Sequence, residues 1–243
     1  MSIEKRVQVI TNTPTIYLGK EFNNNLYMKR EDMIPYSFGG NKARKGFLFF
    51  EEIDKGDYDC VVTYGSSHSN HCRIIANLAA ERRIPCIIIG PKEVSDETFN
   101  TKLMKLFGAQ ILTVPVNLVH DTITNKMDEL RNNGKNPRGR NVVLDSIREY
   151  MPDVDERELQ ERTIFLDQYI GNGYGKENVE IENTIKECML RYGIPMDSTY
   201  TAKAFLGMKK YLQKEVICEK NVLFIHTGGT PLFFDDFCKV ELN

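Results

Sequence analysis

The pattern of apolar and polar positions is clearest between residues 60 and 116. Cys60-Val61-Val62-Thr63-Tyr64 is apolar and β-branched and predicts a strand. Gly65 to Asn70 is a polar turn. Between Arg73 and Arg83, Ile74, Ile75, Leu78 and Ala79 fall on one helical face. Pro85 to Gly90 is apolar throughout, as buried parallel strands are. Thr98 to Phe107 predicts a helix that carries Leu103, Met104, Leu106 and Phe107 and stops at Gly108. Gln110 to Val116 predicts a third strand. Strand, helix, strand, helix, strand at this rhythm predicts a parallel, right-handed α/β unit.

The pattern weakens after residue 120. His120 to Asn132 reads as a helix, and Asn132 to Gly139 as a loop. Val142-Val143-Leu144 is too short to classify, and the charged run Asp153 to Arg162 reads as a solvated helix. Asn178 to Tyr192 predicts an amphipathic helix with Ile181, Ile185, Cys188 and Met189 on one face and Gly193 as its stop. Thr201 to Leu212 predicts another. Asn221 to His226 predicts a strand that runs into a Gly228-Gly229 turn. No internal repeat or low-complexity segment interrupts the chain.

Composition narrows the classes. The chain has 243 residues, 41% hydrophobic and 27% charged, with a formal net charge of -2. These values fit a globular protein of one domain or two intimate ones and lack the basic balance of a nucleic-acid binder. No apolar run approaches the roughly 20 residues that cross a bilayer. The first residues, Met1-Ser2-Ile3-Glu4-Lys5-Arg6, lack the apolar core of a signal peptide. The six cysteines form no CxxC pair; several sit within apolar segments, as buried thiols do, and a reducing cytoplasm is the simplest reading.

Three turns carry candidate chemistry. The first is Phe38-Gly39-Gly40-Asn41-Lys42, in which two glycines permit close backbone approach beside a lysine. A lysine amine whose pKa is lowered by burial or a neighbouring cation can form a Schiff base. The second is Ser66-Ser67-His68-Ser69-Asn70-His71, at the end of a parallel strand and the start of a helix. Free N–H groups at such a start suit a carboxylate or phosphate, and ligands of open α/β sheets sit at this edge. The third is Thr227-Gly228-Gly229-Thr230, after the last strand. His68, His71 and His226 have no acidic or cysteine partner at ligand spacing, so no metal site is expected.

Together the turns resemble the pyridoxal-phosphate-dependent family that includes D-cysteine desulfhydrase and 1-aminocyclopropane-1-carboxylate deaminase, of the tryptophan-synthase-β-like fold type. The segments that carry the resemblance are Lys29 to Asp32, Gly39 to Lys45, Ser69 to Arg73, Gly173-Tyr174-Gly175, Asp197 to Ala204 and His226 to Gly229. The resemblance implies an α/β fold of open parallel twisted sheets with helices on both faces. It implies two intimate domains, a larger cofactor-binding one (1–50 and 135–243) and a smaller one (51–134). Lys42 would hold pyridoxal 5'-phosphate and move a proton. Asn70 would bond the cofactor's phenolic oxygen, and Ser69, Asn70 and His71 would take the substrate carboxylate. Tyr174 and Tyr200 would stand near the substrate. Thr201, with Thr227, Gly228 and Gly229, would lie along the ring; the deaminase branch has glutamate at the place of Thr201, so threonine points to the desulfhydrase-like branch. The resemblance also implies a small amino-acid substrate and a homodimer.

The chain departs from the family in one place. The glycine-, serine- and threonine-rich loop that cradles the cofactor phosphate has no counterpart between Asn136-Pro137 and Gly173, where only Arg138 to Asn172 remain. The larger domain is accordingly read as truncated. Three readings follow: a lyase or deaminase releasing ammonia and a keto acid, a cysteine-synthase-like β-replacement enzyme, or a non-catalytic descendant that binds an amino acid.

Overall fold

The computed structural model describes residues 12–138 and 163–238. The unclassified segment Val142-Val143-Leu144 and the helix expected over Asp153 to Arg162 lie outside those residues. The described chain forms two sheets. Strands β1 (Thr15–Glu21), β2 (Asn24–Arg30) and β7 (Asn221–His226) lie in the order β1-β2-β7. Strands β3 (Cys60–Tyr64), β4 (Cys86–Pro91), β5 (Gln110–Val114) and β6 (Pro137–Arg138) lie in the order β5-β4-β3-β6.

The second sheet is parallel throughout. Helices α1 (Lys42–Lys55), α2 (Asn70–Arg82) and α3 (Phe99–Leu106) cover one face. There Ala43, Phe47, Phe50 and Ile53 pack with Ile74, Ile75, Leu78 and Met104 over Val61 and Ile88. Helix α4 (Val119–Asn132) covers the other face, with Val119 and Met127 against Val62, Ile87 and Ile89. Burying a side chain of this size contributes roughly 1.5–3 kcal/mol, so the apolar runs of β3 and β4 fix both faces at once.

The first sheet differs from the expected parallel pattern. β1 and β2 form an antiparallel hairpin, and only β2 and β7 run parallel. The hairpin turns on Phe22 and Asn23, both at positive φ (48° and 59°), which matches the right-handed twist of the strands they join. Leu26, Met28 and Phe224 face helices α5 (Val179–Tyr192) and α6 (Thr201–Lys214), where Ile181, Ile185, Cys188, Ala202 and Phe205 complete a core. Tyr17, Leu223 and Ile225, which alternate with those inward positions, are each more than half exposed. Among the described residues, helices therefore cover both faces of the second sheet and one face of the first.

Two further differences sharpen the site. Lys42 is the first residue of α1, not a loop residue. Helix α7 (Thr230–Phe237) begins directly after the Gly228-Gly229 turn, with proline in its first turn, where a missing N–H costs nothing.

Candidate active site

The glycine turns before Lys42 and after β7 pack back to back. The Asn41 N–H donates to the Thr227 carbonyl at 3.0 Å. Gly40 and Gly228 both have positive φ, and a Cβ on Gly228 would sit 2.5 Å from the Gly40 Cα. Behind them, Arg30 grips Asp32 through two bonds of 2.8 and 2.6 Å. Arg44 grips Glu31 at 2.5 and 2.9 Å and holds that carboxyl below its usual pKa. The Arg44–Glu31 pair anchors the first turn of α1 to the end of β2.

Lys42 is half-buried, and its Nζ donates to Asn41 Oδ1 at 3.2 Å. It has no carboxylate partner among the described residues. Burial, then the charge of Lys45, lowers its pKa from the ordinary lysine value. The charges of Lys42 and Lys45 both act on His71, the second residue of α2. Burial first, and these lysines second, push the His71 imidazole down to about 4. His71 is thus neutral near pH 7, and its Nε2 pairs with the Thr63 hydroxyl at 3.1 Å.

Helix α2 opens at Asn70, within the polar turn expected to start it. Ser69 is its N-cap, and the Ser69 hydroxyl accepts the Cys72 N–H at 3.1 Å. The N–H groups of Asn70 and His71 have no acceptor among the described residues, which leaves two donors at the positive end of the helix dipole. The Asn70 Oδ1 accepts from Asn100 Nδ2 at 3.0 Å and from Arg73 at 3.4 Å. The Asn70 amide NH2 makes no bond within the described chain.

The two tyrosines meet at the same place. Tyr174 and Tyr200 share a short hydroxyl–hydroxyl hydrogen bond, and the Tyr174 hydroxyl also pairs with Ser66 Oγ at 3.0 Å. The His68 ring stands edge-on to Tyr174, with centroids 6.1 Å apart. Burial, and then Tyr174, raise the Tyr200 pKa well above its ordinary value. Lys203, itself buried, donates to the Gly173 carbonyl at 2.6 Å and so ties the Tyr174 loop to α6.

Sequence reasoning missed the acid beneath Tyr200. Asp197 is fully buried; its oxygens accept the Tyr200 N–H at 2.7 Å and the Thr201 hydroxyl at 2.7 Å. Burial pushes its carboxyl up to about 6, against the opposing hydrogen bonds. The Thr201 hydroxyl also accepts the Asp197 N–H at 2.9 Å. Its single proton is therefore committed to Asp197, so it has no donor left for a ring nitrogen. The Thr227 hydroxyl makes no hydrogen bond among the described residues. His226 is structural: its Nε2–H donates to the Pro195 carbonyl at 2.8 Å, and its Nδ1 accepts the Gly228 N–H at 3.3 Å.

These residues fit one side of pyridoxal phosphate. They offer an amine poor in partners, an amide with both N–H groups unused and a helix start with two free N–H groups among the described residues. For the phosphate, the turn after β3 is engaged in capping and the turn after β7 packs on Gly40. No third glycine- and hydroxyl-rich turn follows a strand among the described residues. Nor does any group of three or more metal-ligating side chains occur there, and no helix there is long and apolar enough to cross a membrane.

Lys42 opens α1, and α2 starts with two N–H groups free among the described residues. Residues 7–141 match the pyridoxal-phosphate dependent enzyme family, and the chain belongs to that family. It is 24% identical to D-cysteine desulfhydrase of Yersinia pestis (strain Pestoides F) over 299 aligned positions, which take in 90% of this chain and 89% of that protein. The alignment is longer than the 243 residues of the chain, so the relative holds residues that this chain lacks. A solved homologue of ACC deaminase superposes with a TM-score of 0.73 at 22% identity, covering 97% of this chain and 98% of that one. A hydrogen sulfide-producing enzyme from Fusobacterium nucleatum superposes at 0.61 with 18% identity, covering 93% and 97%. The fold is that of these enzymes.

Proposed function

We propose that the chain is a pyridoxal-phosphate-dependent lyase or deaminase of a small amino acid, D-cysteine desulfhydrase-like in reaction. The observation that carries this reading is Lys42, half-buried at the start of α1 and without a carboxylate partner among the described residues. When bound, the cofactor supplies an electron sink for the pair left as a proton departs from the substrate's α-carbon. Lys42 holds the cofactor and, once released, takes up that proton; its lowered pKa keeps more of the amine neutral for both tasks. The Asn70 NH2 donates to the ring oxygen. The N–H groups of Asn70 and His71, with Ser69, hold the substrate carboxylate. Neutral His71 leaves Lys42 without a competing acid. The Tyr174–Tyr200 pair stores and returns a proton beside the leaving group, with Ser66 as its outer partner. Gly228 and Gly229, packed against the lysine turn and Asp197, would line the cofactor, and Thr227 offers the hydroxyl that Thr201 does not.

D-cysteine then yields sulfide, ammonia and pyruvate with uptake of one water. Titration of the purified chain with pyridoxal phosphate should give a visible absorbance band that is absent in Lys42→Ala. Sulfide release from D-cysteine should disappear with it. A supplemented wild-type protein without the band overturns the reading.

The phosphate side favours a second reading, in which the chain binds an amino acid without catalysing its breakdown. Calorimetric binding of a small amino acid in the absence of cofactor, unchanged in Lys42→Ala, would select it. A cysteine-synthase-like β-replacement is distinguished by the need for a second, nucleophilic substrate.

A further inference from the structure

Arg73 lies in the first turn of α2, fully buried, with no carboxylate partner among the described residues. One terminal nitrogen donates to Ser37 Oγ at 3.0 Å. The other donates to the Gly39 carbonyl at 3.3 Å and to Asn70 Oδ1 at 3.4 Å, while Nε has no acceptor. A buried, uncompensated cation opposes folding, so packing alone does not account for it.

Its geometry does. A guanidinium only donates, so the oxygen of the Asn70 amide must face Arg73. Asn100, also fully buried, reinforces this. Its Nδ2 donates to the His68 carbonyl at 3.2 Å and to Asn70 Oδ1 at 3.0 Å, and its own Oδ1 has no partner. Two donors on one oxygen leave the Asn70 NH2 turned away from both, with its protons free. Arg73 also holds Gly39, three residues before Lys42. One side chain thus contacts both the lysine turn and the amide.

We propose that Arg73, assisted by Asn100, is a positioning residue that fixes the Asn70 amide as a donor toward an anionic ring oxygen and sets its place relative to the Lys42 turn. Hydrogen bonds in series polarise one another, so the charge on Arg73 also strengthens the Asn70 N–H as a donor. The inference rests on the reading that Lys42 and Asn70 hold pyridoxal phosphate.

The test is an absorbance titration of the full chain with pyridoxal phosphate, paired with melting of the cofactor-free protein. Arg73→Met should melt at the same or a higher temperature, since it removes an unpaired buried charge, yet bind the cofactor about tenfold more weakly. Asn100→Leu should weaken binding in the same direction and supplies an independent reading if Arg73→Met does not fold. In an Asn70→Ala background, Arg73→Met should have less than about a threefold effect, because the group through which it acts is gone. Binding by both single variants within about twofold of wild type overturns the proposal, and so does full additivity with Asn70→Ala. A wild type without the band overturns instead the reading beneath it.

Discussion

Gly40 and Gly228 touch through their backbones: a methyl group on Gly228 would lie 2.5 Å from the Gly40 Cα. The contact joins the turn before Lys42 to the turn after β7, and the Asn41–Thr227 hydrogen bond runs beside it. Gly228 also has φ of 111°, a conformation that L side chains rarely adopt. Gly228→Ala therefore adds backbone strain and overpacking at one point. We expect a loss of about 2–4 kcal/mol, read as a lower urea midpoint. A midpoint within experimental error of wild type would show that the turns part without cost.

Two buried groups should oppose each other in the pH dependence of stability. His71 falls from 6.5 to about 4 in the folded chain. Between those values the unfolded chain binds the proton more strongly, so this contribution is complete above pH 6.5 and is lost as pH falls to about 4. Asp197 rises from 3.8 to about 6. There the folded chain binds the proton more strongly, so its contribution is complete below pH 3.8 and is lost as pH rises through about 6. Each amounts to roughly 3 kcal/mol. Urea unfolding of His71→Gln should lose stability relative to wild type as pH rises from 4 to 6.5. Asp197→Asn should gain relative to wild type over pH 4 to 6. Parallel curves for all three proteins would refute both assignments.

The sequence makes the second sheet plain and the first only partly so. β4 is an unbroken apolar run and β3 nearly so, because both their faces are covered. β1 and β2 escape the pattern: one face carries Tyr17 and Tyr27 toward solvent, and Asn24 and Asn25 open the second strand. Helix α7 hides behind two glycines and Pro231, which read as a turn although proline there begins a helix. Of the candidate side chains, Tyr174 and Tyr200 are hydrogen-bonded to each other, and Tyr174 to Ser66, four residues before Asn70. Their supports were not legible. Asp197 looks like a solvated turn acid until Thr201 and the Tyr200 N–H close over it. Arg73 looks like an ordinary helix charge, although its neighbours Cys72, Ile74 and Ile75 are all buried.

The tyrosine pair should matter to turnover more than to binding. In Tyr200→Phe, the Tyr174 hydroxyl loses its inner partner and keeps Ser66. If the pair moves a proton in the reaction, kcat for sulfide release should fall by about 10²–10⁴ in Tyr200→Phe and in Tyr174→Phe, with little change in KM. Ser66→Ala, which removes the outer partner and the acceptor of the His68 N–H, should cost less than about tenfold. Equal, small effects in all three would assign the hydroxyls to packing.

Lys203 offers a separate handle on the same loop. Its ammonium is buried on α6 and donates to the Gly173 carbonyl at 2.6 Å, one residue before Tyr174. Burial lowers its pKa, opposed by the charge of Asp197. The bond reaches across 30 residues of chain, so it restrains the loop in a way no local contact replaces. Lys203→Met keeps most of the aliphatic stem and removes only the donor. The Gly173 carbonyl lies in an exposed stretch and can turn to water, so global stability should change by less than about 1.5 kcal/mol. Amide exchange over residues 171–176 should nevertheless quicken, because local opening no longer breaks a charge-assisted bond. The freed Tyr174 would spend less time against Tyr200, so kcat should drop in the same variant while cofactor binding at Lys42 holds. Faster exchange without a drop in kcat would separate the loop from the chemistry, and unchanged exchange would show that the lysine does not hold the loop at all.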